Sequence, residues 1–201
     1  MAKSDDSKAH TRRSFFREAL SRLAQPVAEY VDAQIGAYIP ADTTLLRPPG
    51  AIIEDEFLDT CVRSGACVNS CPARAIQPIS PRDPDRAGTP FIDPDYQPCV
   101  VCETLECMNV CPSGALQKLT VNEIQIGLAG VNYDTCLRTQ AIGCRDCVDS
   151  CPIGERAIRI DAHNRVEVMS PGCVGCGVCQ YHCPTSPKSI RVEAIKAVES
   201  G

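Results

Sequence analysis

The sequence of 201 residues contains no tryptophan, and aromatic residues make up only 4% of it. Large side chains that usually fill a core are therefore scarce, and small domains with thin cores are commonly stabilised by disulfides or bound metals. No apolar run approaches about 20 residues, so the sequence predicts no membrane-spanning helix. The net charge of -5 gives no indication of a nucleic-acid partner.

The sequence also lacks the local patterns of common enzyme classes. It contains no phosphate-binding loop, no G-x-S-x-G turn, no dinucleotide G-x-G-x-x-G and no C-x3-C-x2-C spacing of radical enzymes. One of its three histidines, His182, lies inside a cysteine run whose four thiolates are complete, so we expect a loop residue there and not a ligand. These absences favour a protein that is not an enzyme.

Cysteine is abundant, with 15 residues. The odd number and the Cys-Pro endings of the runs favour metal binding over disulfides. The run from Cys173 through Cys176 and Cys179 to Cys183-Pro184 has the C-x2-C-x2-C-x3-C-P spacing of bacterial ferredoxins. Its first three thiolates bind one iron–sulfur cluster and the fourth binds a second cluster. Metal binding of this kind couples folding to cluster insertion, so we expect a largely disordered chain without metal.

The Cys-Pro pair recurs at Cys71, Cys111, Cys151 and Cys183, at intervals of roughly 30 to 40 residues. A short apolar pair follows each one, and β-like pieces such as Phe91-Ile92, 128–133 and 165–168 precede most of them. Such a period indicates a repeated unit of strand, cysteine loop, short helix and strand. We therefore predict an α+β fold with two linked bacterial-ferredoxin-like modules, preceded by an N-terminal helix.

All fifteen cysteines are candidate iron ligands, whereas four clusters with four thiolates each would need sixteen. The shortfall falls at Ser64, where the regular pattern would have a cysteine. We predict three complete [4Fe-4S] clusters. The fourth site would hold [3Fe-4S], or [4Fe-4S] with Ser64 or water on one iron, or nothing. The predicted ligands are Cys61, Cys67, Cys71, Cys99, Cys102, Cys107, Cys111, Cys136, Cys144, Cys147, Cys151, Cys173, Cys176, Cys179 and Cys183.

Spacing alone does not determine which motifs share a module. Neighbours could pair, or the first motif could pair with the fourth around an inserted middle module. The second motif has a four-residue gap between Cys102 and Cys107, followed by Cys111-Pro-Ser-Gly-Ala-Leu. It resembles the electron-transfer subunits of molybdopterin oxidoreductases, in which the nested pairing occurs. This resemblance favours the nested arrangement.

Residues 1–45 form a separate segment in the prediction. The stretch from Thr11 to Arg17 resembles a twin-arginine export signal, but charged residues such as Glu18 and Arg22 follow where such a signal is apolar. Residues 14–35 instead predict an amphipathic helix, and residues 43–50, which end in Pro-Pro-Gly, predict a linker. A cytoplasmic or membrane-peripheral location is favoured, with periplasmic export as the alternative. The cysteine-rich region is predicted to span residues 51–196.

With these motifs, the chain resembles the NapG/MauM-type polyferredoxins. The similarity covers about residues 51–196 and depends on the four cysteine motifs together with Phe57-Leu58 and Ile126-Gly127. The resemblance implies electron transfer, typically between a quinol-oxidising membrane partner and a soluble oxidoreductase. Ser64 departs from the family pattern at a ligand position.

The leading prediction is therefore an iron–sulfur electron carrier or electron-transfer subunit with three to four clusters. One alternative is an accessory, maturation or redox-sensing protein that uses its first 45 residues to dock. Another is an enzyme with an open iron at Ser64 that acts as a Lewis acid. Glycines 175 and 177 would let backbone amides approach the cluster sulfides. Arginines near the motifs would either offset cluster charge or remain solvated, namely Arg63, Arg74, Arg145 and Arg156.

Overall fold

The computed structural model describes residues 45–195, which belong to one compact unit. Short helices and short strands alternate along this part of the chain. In chain order they are α1 (Glu54–Thr60), α2 (Ala66–Ser70), β1 (Ile76–Pro78), β2 (Pro90–Ile92), α3 (Glu106–Asn109), β3 (Leu128–Val131), α4 (Asp146–Asp149), a 3-10 turn (Gly154–Arg156), β4 (Ile158–Ile160), β5 (Val166–Val168), α5 (Val178–His182) and β6 (Ile190–Glu193).

The strands form three antiparallel pairs. Two of these pairs lie between consecutive cysteine motifs, and the third joins strands before the third motif and after the fourth. β1 pairs with β2 between the first and second motifs, and β4 pairs with β5 between the third and fourth. β3, which precedes the third motif, pairs with β6, which follows the fourth, with Ala129 opposite Val192. The described part of the chain is therefore a mixed helix and strand fold with a first half around motifs one and two and a second half around motifs three and four.

The apolar pairs after the four Cys-Pro turns support the repeat directly. Each pair has both members buried, with exposed fractions of 1–4%. In both halves a buried pair of residues returns the chain to the core after each cysteine loop. The repeat in the sequence therefore corresponds to a repeat in the structure. The four pairs are Ala75-Ile76, Ala115-Leu116, Ala157-Ile158 and Ser189-Ile190.

The linker prediction is wrong for residues 46–50, which are buried. Pro48 and Pro49 are among the most completely buried side chains, and the Leu46 carbonyl accepts a hydrogen bond of 2.8 Å from the Ile92 N–H. Proline ends regular structure because it lacks an N–H, but its ring is apolar and packs as well as other apolar groups do. A β-carbon on Gly50 would lie 2.1 Å from the Gln117 carbonyl oxygen, so only glycine fits there.

A cluster of polar and aromatic groups holds α1 against this buried segment. Phe57 is fully buried, and the Arg47 guanidinium lies 4.7 Å from the centre of its ring. The same guanidinium donates hydrogen bonds to Glu54 at 2.8 Å, to the Thr89 hydroxyl at 3.0 Å and to the Pro90 carbonyl at 2.8 Å. A buried arginine of this kind needs all of its hydrogen bonds, because an unpaired charge in the core is costly.

The predicted N-terminal helix and the twin-arginine-like stretch lie outside the described residues. None of the helices between residues 45 and 195 has the length and apolar composition that a membrane span requires.

Candidate iron–sulfur sites

Cysteine side chains line four separate cavities that open to solvent and enclose similar amounts of space, about 370, 350, 300 and 370 Å³ with the solvent at their mouths included. We name them sites A to D in that order. Site A is lined by Cys61, Ser64, Cys67 and Cys111; site B by Cys71, Cys99, Cys102 and Cys107; site C by Cys151, Cys173, Cys176 and Cys179; site D by Cys136, Cys144, Cys147 and Cys183.

In each half of the chain the last cysteine of one motif lines the cavity of the neighbouring motif. Cys111 of the second motif contributes to site A, and Cys71 of the first motif contributes to site B. Cys183 and Cys151 are exchanged in the same way in the second half. The nested pairing favoured by the sequence is therefore wrong. The cause is the packing of α2 against α3 and of α4 against α5, which brings adjacent motifs together.

The cysteine loops share backbone conformations that explain their residue choices. In the fourth motif Gly175 and Gly177 have φ of +68° and +86°, and the corresponding first-motif residues, Arg63 and Gly65, have φ of +53° and +71°. The second motif keeps the same turn with Val101 at +51°, although a β-branched side chain is strained there. The first loop therefore retains the conformation of a complete cysteine loop despite its serine.

Ser64 occupies in this loop the position that Cys176 occupies in the fourth motif. It is exposed, and its Oγ accepts a hydrogen bond of 3.4 Å from the Ala66 N–H. None of the three site A cysteines is buried, whereas every other site contains at least one buried cysteine. Site A is thus the most accessible of the four and lacks one thiolate.

Burial governs the acidity of the thiols. It raises the pKa of Cys67 to about 11 and the pKa values of Cys99, Cys107, Cys147 and Cys176 to about 12. Repulsion from neighbouring thiolates adds to this effect at all five. A metal binds the thiolate and not the thiol, so iron bound at these cysteines would have to displace their protons, and acid would oppose its uptake.

Two of the exchanged cysteines have a different environment. Burial alone would raise the pKa of Cys111, but hydrogen bonds from the Leu116 N–H and the Ser113 hydroxyl outweigh it and lower the pKa. The Leu116 N–H lies 3.4 Å from Cys111 Sγ, and the Ala75 N–H lies 3.3 Å from Cys71 Sγ. Donors aimed at a ligating sulfur favour its anionic form and are one way in which a protein adjusts a cluster potential.

The arrangement of the thiols fits a multi-iron cluster better than one metal ion. All fifteen cysteines are free. Among residues 45–195 no three Cys, His, Asp or Glu side chains converge as the ligands of a single metal ion. The cysteines of each site instead lie around the wall of a cavity. A tetrahedral zinc site needs four ligands around one point, whereas an iron–sulfur cluster takes each thiolate on a different iron.

Sites B and C meet at the contact between the two halves, which we call the junction. The Cys99 N–H donates a 3.0 Å hydrogen bond to the Cys176 carbonyl, so a cysteine of site B is joined directly to a cysteine of site C. A β-carbon on Gly175 would lie 2.3 Å from the Gly127 backbone, and one on Gly177 would lie 2.6 Å from the Pro94 ring. The two glycines therefore allow the site C loop to pack against the other chain segments at the junction.

The sequence did not reveal this junction. The Gln180 side chain, which is buried, also crosses it, because its Nε2 donates to Asp95 at 2.9 Å while its Oε1 accepts from the Val192 N–H at 2.8 Å. The only signals in the sequence were the glycines at 127, 175 and 177, and they give no indication of their partners.

Three of the four arginines near the motifs contact protein groups through their side chains. Arg63 donates to the Ala87 carbonyl at 3.0 Å, Arg145 forms an exposed ion pair with Asp149 at 3.2 Å, and Arg156 lies 3.4 Å from Asn122 Oδ1. Of the three, only Arg63 lines one of the four cavities. His182 ends α5 and makes an edge contact with the Tyr181 ring.

Comparison with known proteins agrees with this geometry. The family model of the 4Fe-4S dicluster domain matches residues 60–115 and 140–186. The first range contains every cysteine of sites A and B, and the second contains those of sites C and D except Cys136. The chain belongs to this ferredoxin-type family. It is 34% identical to the methylamine utilization ferredoxin-type protein MauM of Methylophilus methylotrophus over 154 residues, which are 74% of this chain and 68% of that protein.

Two further relatives widen the comparison. The ferredoxin-type protein NapG of Escherichia coli K12 is 39% identical over 119 residues, 58% of this chain and 52% of the relative. A selenate reductase subunit from Mesobacillus selenatarsenatis is 32% identical over 106 residues, 49% of this chain and 33% of the relative. The chain thus spans about half to two thirds of the length of the MauM and NapG relatives it matches.

Proposed function

We propose that this protein is an iron–sulfur electron carrier whose four sites form one row in the order A, B, C, D. The fifteen cysteines would hold the clusters, with three complete [4Fe-4S] clusters at sites B, C and D. A bound cluster supplies reversible one-electron chemistry. The chain supplies the ligands, the backbone donors to sulfur and the spacing between sites.

The proposal is supported by the contacts that link each site to the next one in this order. Helix α2 holds Cys67 of site A and leads into Cys71 of site B, and α2 packs against α3, which holds Cys107 of site B. Sites C and D are joined in the same way by α4 and α5. The hydrogen bond between Cys99 and Cys176 connects the two pairs.

The electrostatics of the thiols agree with this order. Besides burial, the pKa of Cys107 in site B is raised by Cys67 of site A, and that of Cys176 in site C by Cys99 of site B. The pKa of Cys179 in site C is likewise raised by Cys147 of site D. Each neighbouring pair of sites is therefore close enough for a charge on one to be felt at the next.

The proposed partners are a redox donor, such as a quinol-oxidising membrane protein, and an acceptor oxidoreductase at the opposite end of the row. The names of the MauM, NapG and selenate reductase relatives support a place in such a redox system. A periplasmic location through the stretch Thr11 to Arg17 would be tested by fusing residues 1–45 to a reporter that is active only after twin-arginine export.

Iron and acid-labile sulfide per chain, measured after anaerobic purification together with EPR of the oxidised and reduced protein, test the proposal. About 12 irons in three reversibly reducible clusters are the minimum that it requires, and about 15 to 16 would indicate a cluster at site A. Broadened EPR signals in the fully reduced protein are expected, because neighbouring clusters interact magnetically. Zinc in place of iron would refute the proposal.

A further inference from the structure

Site A differs from the other three sites because it has three cysteines, so one iron of a cluster bound there would lack a thiolate ligand. It keeps a cavity as large as that of site D, and its loop keeps the backbone of a complete cysteine loop. The space for a cluster is therefore preserved although one thiolate is missing. We infer that site A holds a cluster with one exchangeable iron, and that this iron takes a small anion or thiolate from solution as its fourth ligand.

The inference depends on the proposed function, since it requires a cluster at site A. Its first step is that the serine hydroxyl is a poor substitute for a thiol. A hydroxyl is far less acidic than cysteine, and its oxygen is a harder donor that iron–sulfur centres bind less well. The Ser64 Oγ also accepts the Ala66 N–H, at 3.4 Å, which uses one of its lone pairs.

The second step is access. Ser64 is exposed, Val62 is 63% exposed, and none of the site A cysteines is buried. A solute can therefore reach the corner of the site at which the thiolate is missing. At the matching corner of site C, Cys176 is buried and its loop is covered by Gly127 and Pro94.

The third step is charge. Arg63 lines site A, and its guanidinium donates only to backbone carbonyls, those of Ala87 at 3.0 Å, Cys61 at 3.4 Å and Asp85 at 3.5 Å. No carboxylate among residues 45–195 forms an ion pair with it. A cluster with three thiolates carries one negative charge fewer than a complete one, and the nearby Arg63 favours an anion as the added ligand.

The loss of the exchangeable iron from site A can be written as a reaction in which iron and electrons balance. When a one-electron oxidant such as ferricyanide acts on the site, the corner iron leaves as Fe²⁺ and one electron passes to the oxidant. The [4Fe-4S]²⁺ core then becomes [3Fe-4S]⁺ and keeps its three thiolates. Ferrous iron and a reductant restore the original cluster.

The experiment compares the anaerobic holoprotein with Ser64→Ala and Ser64→Cys. Ferricyanide is added, released Fe²⁺ is measured with a coloured chelator, and EPR detects [3Fe-4S]⁺. The wild type and Ser64→Ala should each release about one iron per chain and show the signal, because neither supplies a fourth ligand. Ser64→Cys should lose both effects, since it restores the thiolate at an exposed position where the substitution does not disturb packing.

Cyanide serves as the anionic probe in a second measurement on the reduced proteins. It should shift one cluster signal in the wild type and in Ser64→Ala but none in Ser64→Cys. Arg63→Gln, which keeps hydrogen-bonding capacity and removes the charge, should weaken cyanide binding about two- to fivefold.

The results that would overturn the inference are distinct. A Ser64→Ala protein that loses the site A cluster would identify the hydroxyl as a ligand, and iron release that persists in Ser64→Cys would place the labile iron in another site. A wild type with about 12 irons and no iron release would mean that site A is empty, while the three-cluster carrier would stand. A protein without iron would refute both the inference and the proposed function.

Discussion

The packing of Gly175 against Gly127 provides a test of the structure around the site C loop. We consider the substitution Gly175→Ala, which has two separate consequences. The residue has φ of +68°, a conformation that costs a residue with a β-carbon about 1–2 kcal/mol. In addition, the new methyl group would lie 2.3 Å from the Gly127 backbone, and such overpacking typically costs about 1–3 kcal/mol. The expected destabilisation is therefore about 2–5 kcal/mol.

Gly154→Ala is the matched control. Gly154 has a nearly identical φ of +71°, but a β-carbon there would meet nothing within 4 Å. The control therefore has the conformational cost of about 1–2 kcal/mol without the steric one. The difference between the two variants isolates the contact between Gly175 and Gly127.

The assay is the thermal midpoint of cluster loss, followed by visible absorption under anaerobic conditions at one scan rate. One kcal/mol shifts the midpoint of a chain of this size by about 2–4 °C. The control should fall by about 2–8 °C and Gly175→Ala by about 4–20 °C. Equal shifts in the two proteins would refute the close approach of Gly175 to Gly127, since the control shares every other feature of the change.

Three further predictions concern the core, the site assignment and the metal. Phe57→Ala removes a fully buried ring and should destabilise the holoprotein by about 3–5 kcal/mol, measured by the same thermal assay with exposed Tyr96→Ala as the neutral control. Cys111→Ser should alter the EPR signal of site A and leave that of site D intact, whereas nested pairing would instead affect a cluster of the third motif. Removal of iron by acid and chelator should abolish most far-ultraviolet circular dichroism, because cysteines belong to the two clusters of buried apolar residues, as Cys107 does beside Phe57 and Cys147 beside Ile158; native-like dichroism in the metal-free chain would contradict this.

Local features of the fold could be predicted from the sequence because they depend on short-range patterns. The strands at Phe91-Ile92, 128–133 and 165–168 were predicted, and β2, β3 and β5 lie there. The apolar pairs after the Cys-Pro turns were recognised as a repeated feature, and all four are buried. The helices α2 to α5 were placed less well, because each lies inside a cysteine motif and carries the cysteine that precedes the Cys-Pro pair, as Cys67 does in α2.

Features that depend on contacts between distant residues could not be predicted. The pairing of motifs is set by the packing of α2 with α3 and of α4 with α5, and no residue of a single motif specifies it. The glycines at 175 and 177 were expected to admit backbone amides to cluster sulfides. That expectation stays a prediction. The contacts at their β-carbon positions are Gly127 and Pro94, which lie far away in the sequence. Pro48 and Pro49 were mistaken for linker residues because a Pro-Pro-Gly sequence does not reveal whether it is buried.

The position of Ser64 in the proposed row explains how the chain can tolerate a missing ligand. In the proposed order site A is at one end, and α2 and α3 connect it to site B. A weakened cluster there would leave the proposed path from site B through Cys99 and Cys176 to sites C and D complete. The same substitution at Cys176 would weaken a cluster in the middle of the row. Cys176→Ser should therefore slow the passage of electrons from site B to site D, whereas Ser64→Ala should not affect this transfer; freeze-quenched EPR of the two sites during reduction would distinguish the two outcomes.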